Sequence, residues 1–218
     1  MAPDIDLAAA DRLLTTTRAV RRRLDLERSV EREVLLECIS IAQQAPTGGN
    51  RQGWSFVVVT DADQRTRIAE LYRAASAASF EQAKARALGT GDEQTARAYD
   101  GAQYLASVLH RVPVHVIPCI RGSILGAERP TVAAAGLYGS IVPAAWSFQL
   151  ALRARGLGSA WTTMHLHHER EVAELLGIPD DVTQVALLPV AYYTGDTFSP
   201  AARPSADTVT HWDGWSAD

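Results

Sequence analysis

An uncharged run from Thr131 to Leu152 places the strongest constraint on how this chain folds. The run is long enough to span a bilayer, but its Gly, Ser, Pro and Gln residues make it less apolar than a typical membrane-spanning helix. We therefore expect a buried central helix from about Val132 to Arg155, and no membrane segment. The small residues around Gly136 and Gly139 would let another helix approach closely, as at a subunit interface.

Three β-rich runs and several helical segments accompany this helix. The runs are 56–59, 114–119 and 185–191. Apolar positions at helical spacing predict further helices over 33–44, 62–75, 95–110 and 169–176. No repeat or linker divides the sequence, so we expect a single domain over residues 1–218, with a flexible N-terminus to about residue 8. The Ala-, Gly- and Gln-rich segment 74–95 has the weakest core pattern and is the candidate for a mobile flap.

The charge balance argues against a nucleic-acid partner. The chain has 21 basic and 25 acidic residues and a net charge of -4. Its basic cluster, between Arg18 and Arg23, needs an anionic neighbour or open water. A nucleic-acid-binding module built on that cluster is retained only as a minor alternative.

The cysteines, the N-terminus and the histidines add little chemistry. Cys38 and Cys119 both lie in apolar runs, which is typical of packing residues rather than of a disulfide or a metal site. The start of the chain lacks the basic and apolar regions of a secretory signal, so we expect a cytoplasmic protein. Near His165, His167 and His168 there is no carboxylate or cysteine at a spacing that would complete a metal site, so we expect no metal.

The segment Ala45–Trp54, with the sequence Ala-Pro-Thr-Gly-Gly-Asn-Arg-Gln-Gly-Trp, carries the clearest functional signal. It is a small-residue loop between a predicted helix and a predicted strand. Its glycines leave room for backbone N–H groups to approach a cofactor, while Asn50 and Gln52 can donate or accept hydrogen bonds at the polar edge of a planar ligand. These properties favour a flavin.

The usual nucleotide motifs are absent from the sequence. Strands separated by long helices would also fit a doubly wound nucleotide-binding fold. However, the segment 156–161, Gly-Leu-Gly-Ser-Ala-Trp, ends in Trp where a small residue is needed, and it follows a helix instead of opening one. There is also no phosphate loop of the Gly-Lys-Ser/Thr type. Any nucleotide must therefore be held in another way.

Four motifs, taken in order, resemble those of the nitroreductase family of FMN enzymes. They are 18–22 (Arg-Ala-Val-Arg-Arg), 45–54, 156–161, and 188–191 (Leu-Pro-Val-Ala) with a late Arg203-Pro204. The resemblance covers about residues 8–215 and is greatest to an actinobacterial subgroup with the ending Thr-His-Trp-x-Gly-Trp, here 210–215. It implies an α+β fold in which a mostly antiparallel central sheet is wrapped by helices. It also implies an intertwined homodimer with FMN at the interface.

By this resemblance, two segments bind the FMN phosphate and ribityl chain: Arg18, Ala19, Val20, Arg21 and Arg22, and the late Arg203. Guanidinium groups suit a phosphate because each can donate two parallel, charge-assisted hydrogen bonds. The family usually has a serine where Ala19 stands, so one hydroxyl contact is missing. Ala202 replaces a second basic residue beside Arg203, which shifts more of the phosphate binding to the N-terminal cluster.

The resemblance assigns the flavin ring to two further segments. The loop would reach the flavin of the neighbouring subunit through Pro46, Thr47, Gly48, Asn50 and Gln52, and Gly53, where the family has proline, should make it less rigid. The other segment is Trp161, Thr162, Thr163 and Met164.

This second segment would lie against the ring. A backbone N–H near Thr163 or Met164 would face flavin N5 and stabilise negative charge on the reduced ring. Some branches of the family have a Glu near Thr163. Its absence leaves water or the reduced flavin as the proton source, so no catalytic side chain is assigned.

The predicted function is therefore an FMN-dependent oxidoreductase with ping-pong kinetics. NADH or NADPH passes hydride to flavin N5, and a nitroaromatic, quinone, enone or similar small acceptor is then reduced in the same pocket. No residue in the sequence distinguishes NADH from NADPH. The main alternative is a protein that binds FMN without turnover, to sequester it or to sense it.

Overall fold

A five-stranded sheet lies between two groups of helices in a computed structural model, which describes residues 5–124 and 127–215. The helices are α1 (Leu7–Thr16), α2 (Arg32–Ala42), α3 (Ala62–Gly89), α4 (Glu93–Val108), α5 (Pro130–Ala154) and α6 (Glu169–Leu176). The strands are β1 (Trp54–Val59), β2 (Val114–Arg121), β3 (Leu157–Ser159), β4 (Val182–Gln184) and β5 (Leu188–Tyr192).

Every strand pairing in the sheet is antiparallel. The strand order is β1-β2-β5-β3, and β4 pairs with the end of β2 beyond β5. The predicted α+β class with an antiparallel central sheet is thus confirmed. The predicted strand 185–191 is interrupted, because residues 185–187 leave the ladder between β4 and β5 and pair elsewhere.

β2 is the central strand, and it is buried on both faces except at its last residue. Val114 and Val116 pack in one core cluster with residues of α2 and α5. Ile117 and Cys119 point to the opposite face, where residues of α3, α4 and α6 form a second cluster. Because side chains alternate along a strand, one continuous apolar run can serve both layers.

α5 confirms the helix predicted for the uncharged run, but within one chain it is buried on one face only. Among the helices of the described residues, α5 is the one that is long and apolar enough to cross a membrane, judged by length and composition alone. In its most apolar stretch, 28% is buried inside the protein. Its outer face exposes Val132, Val142 and Trp146. A Cβ built on Gly136 or Gly139 meets nothing within 4 Å.

α3 and α4 form a helical hairpin over one end of the sheet. α3 runs well past the predicted segment 62–75, so most of the candidate flap 74–95 is helical. Lys84 on α3 pairs with Asp100 on α4 at 2.7 Å, and the rings of Phe80 and Tyr99 lie 6.0 Å apart. These contacts explain why an Ala-rich segment with a weak core pattern is helical. Motion of the hairpin stays a prediction.

The N-terminal segment leads directly into α1, and its flexibility stays a prediction. α1 begins at Leu7, and the Asp6 carboxylate caps it by accepting a hydrogen bond from the Ala9 N–H at 3.1 Å. The first four residues of the predicted flexible segment lie outside the described residues.

Candidate active site

Three arginines that the sequence singled out line one cavity of about 620 Å³, here called the arginine groove. Arg18, Arg21 and Arg203 share it with Trp146, Gln149 and Trp161, and no acidic residue is among its lining residues. Within the described ranges no carboxylate lies within 4.0 Å of these three guanidinium groups. The groove is therefore a concentration of uncompensated positive charge.

The outer two arginines are only partly engaged by the protein. Arg18 donates from Nη1 to the Ser199 carbonyl at 3.0 Å, and Arg203 donates from Nη1 to the Ala202 carbonyl at 2.9 Å. Because a guanidinium group has five N–H donors, each side chain keeps most of its donors available for an anion.

Arg21 differs from both because it is withdrawn from water. Its Nε is buried and has no hydrogen-bond acceptor in the described part of the chain. Burial lowers the pKa of the guanidinium group, although it remains a cation at any physiological pH. A buried, unpaired cation is costly unless an anion or a strong dipole compensates it.

A second cavity, of about 380 Å³, lies under the α3–α4 hairpin and is here called the aromatic cavity. Tyr72, Phe80 and Tyr99 form one wall, with ring centroids 6.3 Å apart for the first pair and 6.0 Å for the second. Arg21 and Trp161 line this cavity as well as the arginine groove. The two spaces therefore adjoin at these two side chains.

The segment Trp161–Met164 lines the aromatic cavity, and Leu187, in the break between β4 and β5, holds it there. Thr162 donates its N–H to the Leu187 carbonyl at 3.1 Å and accepts from the Leu187 N–H at 2.8 Å. This two-bond bridge holds the segment at the cavity. In residues 5–124 and 127–215, no acceptor is found for the backbone N–H of Thr163 or Met164, so both remain available to a ligand.

The loop lines a third cavity, of about 460 Å³, which shares no lining residue with the other two. Thr47, Gly48 and Gly49 face α5 there, and the Gly48 N–H donates to Ser140 Oγ at 3.0 Å. Ser140 lies nine residues before Gln149 of the arginine groove, which is roughly 14 Å along a helix. Within one chain, the predicted loop contacts and the predicted phosphate contacts are thus apart.

The loop is exposed and has an unusual backbone. Gly49, Asn50 and Gln52 have φ of 61°, 53° and 50°, in the left-handed region that favours glycine. Gln52 Nε2 donates to Asn50 Oδ1 at 3.0 Å, so the two amides contact each other. Neither amide lines the loop cavity, and neither does Pro46.

The remaining residues of the N-terminal motif have structural partners. Val20 donates its N–H to the Ser159 carbonyl at 2.8 Å and packs on Gly158, and Ala19 forms a parallel bridge with Ser159. Arg22 lines neither cavity; it pairs with Asp100 of α4 at 2.6 Å.

Arg23 is also engaged, and it donates to the carbonyls of Thr194 and Thr197. Of the four clustered arginines, Arg18 and Arg21 therefore line the arginine groove, whereas Arg22 and Arg23 are held by other groups of the protein.

Two of the histidines, His115 and His165, are fully buried and do not line the aromatic cavity. His165 is fully buried, and neither of its ring nitrogens has a partner among the described residues. Burial lowers the pKa of His165 and of the nearby His115 to about 4, so both are neutral at pH 7. Among the described residues there is no group of three or more His, Cys, Asp or Glu side chains that could hold a metal ion.

The residues present fit a flavin mononucleotide. A phosphate would compensate the unpaired guanidinium groups of the arginine groove, and an aromatic ring system would suit the adjoining aromatic cavity. Gln149 adds a buried Oε1 that has no partner among the described residues, while its Nε2 donates to Ser159 Oγ at 2.8 Å. The lining residues that sequence reasoning missed include four aromatic residues and one amide: Tyr72, Phe80, Tyr99, Trp146 and Gln149. Each is an ordinary helix residue in the sequence, and no local motif marks it.

The fold is an antiparallel α+β scaffold, and the charge and aromatic lining of its site suit a nucleotide-type aromatic cofactor. The nitroreductase family model matches residues 14–192, which is most of the chain, and the chain belongs to the nitroreductase family. This confirms the family predicted from the four motifs.

Solved structures with the same fold include several flavoproteins. Iodotyrosine deiodinase, solved with FMN and 3-iodo-L-tyrosine, is 22% identical, with a TM-score of 0.71 and coverage of 93% of this chain and 98% of that one. A BluB-like flavoprotein from Clostridium difficile 630 is 19% identical, with a TM-score of 0.67 and coverage of 94% and 99%. A variant of the FMN- and NADPH-dependent nitroreductase NfnB from Sphingopyxis sp. strain HMH is 22% identical, with a TM-score of 0.67 and coverage of 94% and 99%.

Proposed function

We propose that this protein is an FMN-dependent oxidoreductase that uses NADH or NADPH to reduce a small nitroaromatic, quinone, enone or related acceptor in the cytoplasm. The observation that carries the proposal is the junction of the arginine groove and the aromatic cavity at the unpaired, partly buried Arg21. Family membership and the flavoprotein neighbours support it.

FMN, when bound, would supply the capacity for hydride transfer between a reduced nicotinamide and an acceptor. The chain's own residues bind and position the cofactor. Arg18, Arg21 and Arg203 would hold the phosphate by charge-assisted hydrogen bonds. The free N–H groups of Thr163 and Met164 would donate to the ring and stabilise negative charge that develops there. Phe80 and the other aromatic side chains of the wall exclude water.

The cofactor proposal is tested on the protein as purified. We expect a flavin absorption spectrum that bleaches on anaerobic addition of NADH or NADPH and returns when a quinone or nitroaromatic is added. A colourless protein that takes up no added FMN would overturn the proposal. A yellow protein that neither nicotinamide bleaches would favour the alternative, binding of FMN without turnover.

We further propose that the active unit is a homodimer in which the loop of one chain completes the arginine groove and aromatic cavity of the other. Three observations support this arrangement. The loop lies apart from the groove within one chain, the loop and its positive-φ residues are exposed, and the outer face of α5 leaves Trp146 and two glycines uncovered.

A complementation experiment tests the shared site. Arg18→Ala damages the groove and Gly48→Val damages the loop, so each variant alone should retain little FMN. After unfolding and refolding the two together, half of the dimers are mixed, and each mixed dimer has one of two sites intact. FMN content should then recover to about a quarter of the wild-type value. If each variant refolds on its own but the mixture does not regain FMN, the groove and the loop of the same chain form the site.

A further inference from the structure

The aromatic cavity contains few groups that can donate a proton to a substrate. The side chains with exchangeable protons that line it belong to Arg21, Tyr72, Thr95, Tyr99, Trp161, Thr162 and Thr163. Among the described residues, no His, Asp, Glu, Lys or Cys lines it. An arginine does not give up its proton in proteins, and alcohols and the indole N–H are far weaker acids than phenols. The two tyrosines are therefore the available Brønsted acids.

Tyr72 is the better placed of the two. It lies on α3, is 1% exposed, and shares the cavity wall with the segment Thr162–Met164. Its ring is held edge-on by Phe80, so the phenol has a fixed position. Tyr99 is half-buried at the far end of the aromatic wall, on α4.

We propose that Tyr72 is the proton donor to acceptors reduced in the aromatic cavity, a role that rests on the proposed oxidoreductase function. Reduction of an enone adds a hydride to its β-carbon and a proton to its α-carbon. The hydride comes from the nicotinamide by way of FMN. The Tyr72 O–H bond breaks, its proton forms the new C–H bond, and the phenolate left behind is reprotonated from solvent.

The surroundings of Tyr72 suit both its protonated phenol and the phenolate that proton transfer leaves behind. Burial raises the pKa of Tyr72, so the phenol is protonated at neutral pH, while the Thr162 side chain and the Arg21 charge act in the opposite direction. The same two groups would stabilise the phenolate once the proton has left. Among the described residues that line the cavity, Arg21 is the one with a charged side chain. Arg22 and Lys84 both pair with Asp100, and none of these three residues lines the cavity.

The test compares Tyr72→Phe with Tyr104→Phe, a matched loss of one hydroxyl from a tyrosine of α4 that lines none of the three cavities. Two acceptors that need a proton, 2-cyclohexenone and nitrobenzene, are compared with ferricyanide, which takes electrons only. In Tyr72→Phe, the rate constant for the proton-requiring acceptors should fall on the order of 100-fold. FMN content, bleaching by NAD(P)H and ferricyanide turnover should be retained. Tyr104→Phe should stay within a few-fold of wild type throughout.

A titration provides a readout that does not depend on turnover. Ultraviolet difference absorbance of the purified protein reports ionisation of its tyrosines, and the phenol whose pKa is raised by burial at residue 72 should be missing in Tyr72→Phe and present in Tyr104→Phe. In wild type, turnover of 2-cyclohexenone should fall at alkaline pH as that phenol ionises, and this limb should be absent in the variant.

The failures are distinguishable. A protein without FMN, or one that no nicotinamide bleaches, overturns the oxidoreductase function and the tyrosine proposal together. If the wild type turns over but Tyr72→Phe reduces 2-cyclohexenone and nitrobenzene at the wild-type rate, only the tyrosine proposal is overturned. It is also overturned if ferricyanide turnover falls equally in Tyr72→Phe, because that would show a positioning effect. The same holds if the wild type reduces ferricyanide but neither acceptor that needs a proton.

Discussion

Arg21 and Trp161 are the two residues that line both the arginine groove and the aromatic cavity. The guanidinium group of Arg21 is partly buried, and no carboxylate in the described part of the chain pairs with it. A cation in this state lowers the free energy of a bound anion, because part of its desolvation cost has already been met by folding. Arg21 is therefore expected to matter more for FMN affinity than its exposed neighbours.

Replacing Arg21 by Met should weaken FMN binding ten- to a hundredfold. The substitution keeps the aliphatic stem and removes the charge, which is worth about 1.5–3 kcal/mol when a hydrogen bond to a charged group is lost. Arg22→Met is the matched control, since Arg22 pairs with Asp100 and lines neither cavity. Fluorescence titration of the apo-protein with FMN measures both. Equal losses in the two variants would contradict the distinction drawn between adjacent arginines.

This pair also shows where sequence reasoning ended. The motif 18–22 predicted a phosphate-binding segment but gave no reason to separate Arg21 from Arg22, because their difference depends on Asp100, far along the chain in α4. The helix 169–176 was predicted with its observed bounds from apolar positions at helical spacing, because that signal is local. The strand 185–191 was not, because Leu187 pairs with Thr162 and only the folded chain brings them together.

Gly158→Ala should destabilise the fold. A Cβ at this position would lie 2.8 Å from the Val20 Cβ, an atom attached directly to the backbone that cannot rotate away. Overpacking of this kind typically costs about 1–3 kcal/mol. Gly89→Ala is the control, because a Cβ there meets nothing within 4 Å and alanine favours the end of α3. In thermal unfolding we expect a lower Tm for the first variant and an unchanged or higher Tm for the second.

The buried histidines should make the protein less stable in mild acid. Burial lowers the pKa of His165 from 6.5 to about 4, so between these values the unfolded chain binds a proton that the folded chain does not. Stability from this residue is complete above about pH 6.5 and is lost as pH falls towards 4, by up to about 1.4 kcal/mol per pH unit. His115 adds to the effect because its pKa is lowered in the same way.

His165→Leu isolates one half of that effect. Urea unfolding at pH 7 and at pH 5 should show a smaller loss of stability in the variant than in wild type. Losses of equal size in both proteins would mean that His165 takes up no additional proton on unfolding in this range.

Gln52 should show opposite effects on stability and on cofactor binding. Its φ of 50° is unfavourable for a residue with a side chain, and the loop is too exposed for packing to explain it. Gln52→Gly should therefore relieve strain and raise the free energy of unfolding by up to about 1 kcal/mol. Gln52→Ala keeps the strain and should give no such gain. Both variants lose the amide, so both should bind FMN more weakly if the loop reaches the ring.

Chemical unfolding and FMN titration of wild type and the two variants separate the effect on stability from the effect on cofactor binding. A lower stability for Gln52→Gly than for Gln52→Ala would show that the left-handed backbone at this position is not strained.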